Sequence, residues 1–258
     1  MRTDVLEDRM RAFEAAVDPC VLPGVWMVTR LDGRNFTRLT KEVHPFEVPF
    51  DRRFHEHMVQ TTKELMGGCG LKATYAHTQS DEISLLFEPG EGGFGRRIRK
   101  LLSVLSGEAS ARFSLLLGAP AAFDCRISPL PSEASVVDYF RWRAEDARRN
   151  ALNAHCYWLL RAQGCKPGEA DSTMRGLSTP GKHDLLFHHE INFNDLPSWQ
   201  KRGSGLFWDE YDHPGVNPLT GASVLSRRRR IRHDADLPVG DAYSAFLLGL
   251  LRSAEPRT

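Results

Sequence analysis

A chain of 258 residues, 41% hydrophobic and 26% charged, is long enough to bury one large core or two modest ones. Its net charge of +1 excludes a globally basic nucleic-acid coat, so any contact with nucleic acid must be a local patch. No run reaches the roughly eighteen apolar residues of a membrane span, and the charged start Met1-Arg2-Thr3-Asp4-Val5-Leu6-Glu7-Asp8 has no apolar signal core, so a cytoplasmic location without a membrane partner is expected.

The first predicted strand is the apolar run Val25 to Leu31, which ends at Asp32. Pro49 to Met66 reads as a helix stopped at Gly67-Gly68. Leu71 to Thr78 and Ile83 to Glu88 form a predicted hairpin around Gln79-Ser80-Asp81. The glycine-rich stretch Gly90-Glu91-Gly92-Gly93 lacks the lysine of a phosphate-binding loop and reads as a flexible connector to a helix over Arg96 to Leu117. Ala121 to Ile127 is the closing strand. The order βαββαβ predicts an α+β fold with a ferredoxin-like palm, followed by additional helices and a β-hairpin packed against it.

In the second half a long helix is expected from Ser132, its cap, to Gln163 before Gly164. Val137, Phe140, Ala144, Ala147, Ala151, Ala154, Trp158 and Ala162 recur at helical spacing and predict a face of small side chains against the sheet. Lys182 to His189 reads as a short helix, and Gly205 to Tyr211 with Ser223 to His233 as two strands. The expected organisation is a palm-like catalytic region over 1–134 and a region over 135–258 packed on it as one compact unit.

The topology places the first strand antiparallel beside the third, so Asp32 and Asp81 become neighbours. Two acidic sites at the ends of buried strands invite a cation, and two magnesium ions bridged by Asp32 and Asp81 would align an oxygen nucleophile with a phosphorus. The plainer reading is a strand-capping aspartate and a turn aspartate, both solvated. Gly33 permits close backbone approach and offers a carbonyl ligand, while the amides of Arg34, Asn35, Phe36 and Thr37 could cradle a triphosphate. Glu82 is a secondary acidic candidate.

Arg227-Arg228-Arg229-Arg230 with Arg232 suits phosphate contacts as well as it suits a charge-protected edge strand. Arg141, Arg148 and Arg149 pose the same choice. His183, His188 and His189 lack zinc spacing, and Trp142, Trp158, Trp199 and Trp208 read as core. The five cysteines, Cys20, Cys69, Cys125, Cys156 and Cys165, are odd in number and unpaired in spacing, which predicts reduced and mostly buried thiols.

Arg30-Leu31-Asp32-Gly33-Arg34-Asn35-Phe36 and Gln79-Ser80-Asp81-Glu82-Ile83-Ser84 resemble the two metal motifs of the tRNA-His guanylyltransferase family. The resemblance continues through Asp138 to Arg143, Asn150 to Asn153 with Tyr157-Trp158, Lys182 to Phe187, and Ile191 to Asn194 followed by Lys201 to Ser204. It implies a magnesium-dependent nucleotidyltransferase that activates a 5′-monophosphate with ATP and then adds GTP or another nucleotide to the 5′ end of tRNA, in a homotetramer or homodimer. Residue by residue it assigns Asp32 and Asp81 to two metal ions, Gly33 to a carbonyl ligand, Arg34 to Thr37 with Ser80 to the nucleotide, and Glu82 to the neighbouring acid. Arg148, Asn150, Lys182, Arg228 and Arg230 are the candidate tRNA or phosphate contacts. Eukaryotic members carry His-Ile-Asn-Asn-Leu-Tyr-Asn where this chain has Arg148 to Ala154, and Lys-Asn-Glu where it has Lys182-His183-Asp184. Val48 falls near a position that is basic in many relatives. The chain therefore looks more like the bacterial and archaeal guanylyltransferase-like branch, whose members prefer templated repair of 5′-truncated tRNA, and the resemblance implies either tRNA 5′-end repair or tRNA-His guanylylation. A palm-type nucleotide cyclase and a non-catalytic RNA-binding protein are the competing readings.

Overall fold

An N-terminal helix, α1 (Thr3–Ala15), leads to the first strand, β1 (Trp26–Gly33), in a computed structural model that describes residues 3–44, 46–216, 219 and 222–253. A short helix, α2 (Phe36–Arg38), runs into a π-helical turn over Leu39–Val43. Next come α3 (Arg52–Gly68), the hairpin β2 (Tyr75–Gln79) and β3 (Glu82–Phe87), α4 (Ile98–Leu117) and β4 (Phe123–Leu130). The second half contains α5 (Glu133–Ala162), α6 (Pro167–Gly176), α7 (Thr179–Phe187), α8 (Ser198–Arg202), β5 (Ser204–Val216), β6 (Ser223–Asp234) and α9 (Gly240–Ser253).

The six strands form one antiparallel sheet in the order β4-β1-β3-β2-β5-β6. Its first four strands have the predicted palm topology, and the hairpin of the second half extends the sheet beyond β2. Strand alternation explains why both faces are covered. Met27 and Leu31 of β1, Ile83, Leu85 and Phe87 of β3 and Leu206 of β5 face the core beneath α3 and α4. Val28, Leu86, Tyr75 and Phe207 face the opposite core, with Phe140 of α5 and Tyr243 and Leu247 of α9. By the same alternation Arg30, Asp32 and Glu82 project on the α5 side. Only Ser204 to Phe207 of β5 pair with β2, so beyond Trp208 the β5–β6 pair continues as a two-stranded ribbon carrying the arginine run.

Local chemistry sets the helix ends. Asp51 accepts the Arg53 and Phe54 amides at 2.6 and 3.3 Å and so starts α3 later than Pro49. Ser132 caps α5 as expected, accepting from the Ser135 amide at 3.2 Å.

Several expectations are corrected. The buried face of α5 is Val136, Val137, Phe140, Arg143, Ala147, Ala151, Leu152, Cys156 and Leu160, and Ala162 is exposed. The front of this 30-residue helix packs on the sheet and its rear on α6, α7 and α8, so its neighbours choose the buried side rather than one small-residue stripe. Trp142, read as core, is 49% exposed. Only Cys69 and Cys156 of the five free cysteines are buried, and Cys20 is exposed. The glycine-rich connector is anchored: Glu91 accepts the Gly93 and Lys72 amides at 2.7 and 2.9 Å. Beside it, Arg96 is 5% exposed and donates to the carbonyls of Val21, Val25, Pro89 and Glu91. Those partners lie far apart in the chain, which is why composition alone suggested a loose loop. Among the described residues no helix is long and apolar enough to cross a membrane.

Burial leaves a pH signature. Desolvation lowers His55, His77 and His155 from about 6.5 to about 4, and His77 bonds the Arg202 carbonyl at 2.7 Å as a neutral ring. The unfolded chain takes up protons between these values and the folded chain does not, so stability falls as the pH drops from 6.5 towards 4. His77 alone contributes roughly 3 kcal/mol of that loss. Guanidinium midpoints measured from pH 7 to pH 4 are expected to fall throughout that window, and a flat profile would contradict the buried neutral histidines.

Candidate active site

Pairing of β1 with β3 puts Asp32 directly opposite Glu82, and the Gly33 amide donates to the Asp81 carbonyl at 3.0 Å. The β2–β3 connection is only Ser80-Asp81, because Gln79 already faces Glu82. Such a tight turn needs a positive φ at its first position, and Ser80 supplies φ 53°. The Thr78 hydroxyl donates to the Glu82 carbonyl at 2.9 Å and braces the turn. On the other side, a Cβ at Gly33 would lie 2.5 Å from the Phe36 ring, so the close approach expected of this glycine is real and its partner is a side chain of its own chain. Asn35 takes a left-handed φ of 60° and turns the chain into α2.

A cleft of about 390 Å³ opens beside Asp32 and Asp81, lined further by Arg30, His77, Gln79, Ser80, Glu82 and, from α5, Arg143, Asp146, Ala147, Asn150 and Ala154. A second cleft of about 280 Å³ lies across the Ser80-Asp81 turn, with Phe46, Phe50, Trp158 and Trp199 among its walls and Thr37 and Thr40 at its edge. The two clefts share the turn, so a molecule in either meets Asp81.

Burial, and then the charge of Asp32, push Asp81 up to about 6. Glu82 is also raised by burial, but against the pull of Arg143 and Arg30. The Arg143 Nε and Nη2 donate to its two oxygens at 2.7 Å each, and Arg30 stands 3.7 Å away. In the sequence Arg143 is marked only as the last residue of the Asp138 to Arg143 motif. Its spacing with Asp146 and Asn150 marks one helix face, but the partnership with Glu82 spans 61 residues. Asp32 and Asp81 are therefore the acidic pair whose repulsion no described side-chain cation relieves as Arg143 relieves Glu82. Among the described residues no three His, Cys, Asp or Glu side chains are grouped to hold a metal, and His183, His188 and His189 form no such group. Two carboxylates with backbone carbonyl, phosphate and water oxygens nevertheless suit magnesium, which takes few protein ligands.

The other predicted residues divide. Arg34, Asn35 and Thr37 are exposed beside the site, but the Arg34 amide is engaged by the Ala122 carbonyl at 2.8 Å and is lost to a phosphate cradle. Phe36 is 3% exposed, packed among Phe54, Phe113 and Phe123, so its ring belongs to the core. Asn150 lines the larger cleft, and the exposed Arg148 lies two positions before it on α5. Lys182 lies on α7 beside Cys156, away from both clefts. Arg228 and Arg230 are exposed on the ribbon, where Arg230 pairs with Asp209 at 3.0 Å and covers the Tyr211 ring.

Comparison with known proteins gives this geometry its context. The family model described as tRNAHis guanylyltransferase matches residues 7–131, and that described as Thg1 C terminal domain matches 134–235. The probable tRNA(His) guanylyltransferase of Mus musculus is 31% identical over 254 residues, covering 91% of this chain and 84% of the mouse protein. The tRNA(His) guanylyltransferase of Neurospora crassa is 32% identical over 214 residues, covering 78% and 72%. A solved bacterial tRNA(His) guanylyltransferase (Thg1)-like protein in complex with GTP superposes with a TM-score of 0.74 at 25% identity, covering 96% of this chain and 99% of that one. A corresponding complex with ATP gives 0.72 at 26%, covering 95% and 98%.

Proposed function

The chain belongs to the tRNAHis guanylyltransferase family, and on that premise we propose that it is a nucleotidyltransferase that adds nucleotides to the 5′ end of tRNA. The observation that carries the reading is the paired Asp32 and Asp81 in the larger cleft, with Asp81 shared by the second. The proposed cycle activates the 5′-monophosphate of tRNA with ATP, releasing pyrophosphate. The 3′-hydroxyl of an incoming GTP then displaces AMP from the activated end.

Asp32, Asp81 and the Gly33 carbonyl are the proposed ligands of two magnesium ions. Magnesium, when bound, neutralises the phosphates and lowers the pKa of the attacking hydroxyl. The protein's own share is orientation, since phosphoryl transfer needs in-line alignment and charge neutralisation more than a covalent nucleophile. Ser80 and the loop from Asn35 to Thr37 contact the triphosphate, with Arg34 contributing its side chain. Asn150 and Arg148 on α5, with Lys182, Arg228 and Arg230 further off, are the proposed RNA contacts. The region over 1–134 would carry the catalytic groups and that over 135–258 the RNA contacts, in a cytoplasmic homotetramer or homodimer whose mass sedimentation would read.

Arg148, His183 and Asp184, where eukaryotic members carry other residues, favour templated repair over tRNA-His guanylylation. The test offers 5′-monophosphorylated tRNAs, intact and truncated at the 5′ end, with ATP and each labelled nucleotide. Extension of the truncated end by the templated nucleotide is expected. An untemplated G on intact tRNA-His would reverse the substrate order, and cyclic product from GTP without RNA would overturn the reading altogether.

A further inference from the structure

Glu82 stands next to Asp81 in sequence and opposite Asp32 in the sheet, yet it differs from both in its partners. Arg143, with a side chain only 7% exposed, grips both of its oxygens at 2.7 Å, the bidentate geometry that makes a carboxylate pair strong and directional. The same guanidinium donates to Asp146 at 3.0 Å, and Asp146 is held in turn by Arg149 and Asn150. The Trp142 ring stacks on Arg143, its centroid 4.6 Å from the guanidinium carbon. The substrate-facing side of α5 and the turn bearing Asp81 are thus joined through one side chain.

We infer that Arg143 is a positioning residue for nucleotidyl transfer: it neutralises Glu82 and Asp146 at the cleft wall and ties the Ser80-Asp81 turn to α5, leaving Asp32 and Asp81 as the lining carboxylates that it does not hold. The inference rests on the proposed role of Asp32 and Asp81 as cation ligands. Its physical motive is charge: a free third carboxylate would add a metal ligand and repel the triphosphate.

The test uses the full chain, Mn2+ as a paramagnetic probe whose bound fraction is read by electron paramagnetic resonance, and single-turnover transfer to truncated tRNA. Glu82→Gln is expected to keep Mn2+ affinity within about threefold, because Glu82 is an anchor and not a ligand. Arg143→Met releases a charged glutamate, so Mn2+ should bind about tenfold more tightly while transfer slows about a hundredfold with little change in the KM for GTP. The double variant E82Q/R143M removes the charge that needed holding and should return Mn2+ affinity to the wild-type value. A merely structural arginine would not tighten metal binding. Weakening of Mn2+ binding tenfold or more in Glu82→Gln would make Glu82 a ligand and overturn the inference. So would unaltered Mn2+ affinity in Arg143→Met, or a double variant that binds Mn2+ no differently from Arg143→Met. If Arg143→Met fails to fold, Glu82→Gln and the double variant decide. Mn2+ binding that survives Asp32→Ala would instead sink the metal-site premise, and the inference with it.

Discussion

Asp32→Ala and Asp81→Ala are each expected to lower 5′ nucleotide transfer by on the order of a thousandfold, the loss that follows from removing several kcal/mol of transition-state charge stabilisation. The fold should survive. Asp81 is raised to about 6 by burial and by Asp32, so the two carboxylates oppose one another in the free protein. Removing either one relieves that repulsion, and the thermal midpoint should hold steady or rise slightly. Activity lost at undiminished stability separates a site residue from a structural one. Near-normal labelled-nucleotide transfer in either variant would sink the two-acid mechanism, and a collapse of the midpoint would show that the pair serves the fold instead.

Gly33→Ala should be the most damaging single methyl in the site. The new Cβ would lie 2.5 Å from one Phe36 ring atom and 2.7 Å from two others, well inside van der Waals contact. Phe36 has little room to retreat, since its ring centroid is 5.0 Å from Phe123 and 5.2 Å from Phe113. Overpacking of this kind costs about 1–3 kcal/mol. The Gly33 amide also donates to the Asp81 carbonyl, so displacement of β1 moves the acidic turn, and a misplacement near 1 Å can cost about a hundredfold in rate. Phe36→Ala alone should destabilise by about 3–5 kcal/mol through its cavity, but it vacates the space that the methyl needs. Chemical denaturation of the two single variants and the double variant is expected to show strong non-additivity, with Gly33→Ala nearly free in the Phe36→Ala background. Simple additivity would place the damage elsewhere than in this contact.

The route from sequence to site succeeded where local chemistry and topology pointed the same way. The run Val25 to Leu31 and the hairpin around Ser80-Asp81 carried their strand signals in short apolar runs bounded by turn residues, and the ferredoxin-like order then made β1 and β3 neighbours. The arginine run on β6 was legible as a strand but not as a ribbon. That depended on β2 being five residues long, which leaves most of β5 without a partner on that side. Phe36 was read as part of a nucleotide loop because a motif records adjacency, whereas its ring turns inward to an aromatic cluster. Trp142 failed in the opposite sense: helical spacing suggested core, but the adjacent position, Arg143, holds the inward direction and leaves the indole at the rim.

By itself the sequence determined the palm topology, the neighbouring of Asp32 and Asp81, and the family, because these rest on periodicity, turn chemistry and ordered motifs. Tertiary structure decided which carboxylates are free. Asp32, Asp81 and Glu82 are equally acidic letters in a chain, and the approach of α5 sets a second guanidinium, beside that of Arg30, on both oxygens of Glu82. A charge is defined by what lies within a few ångströms of it, and for Glu82 the nearest cation comes from a residue 61 positions away.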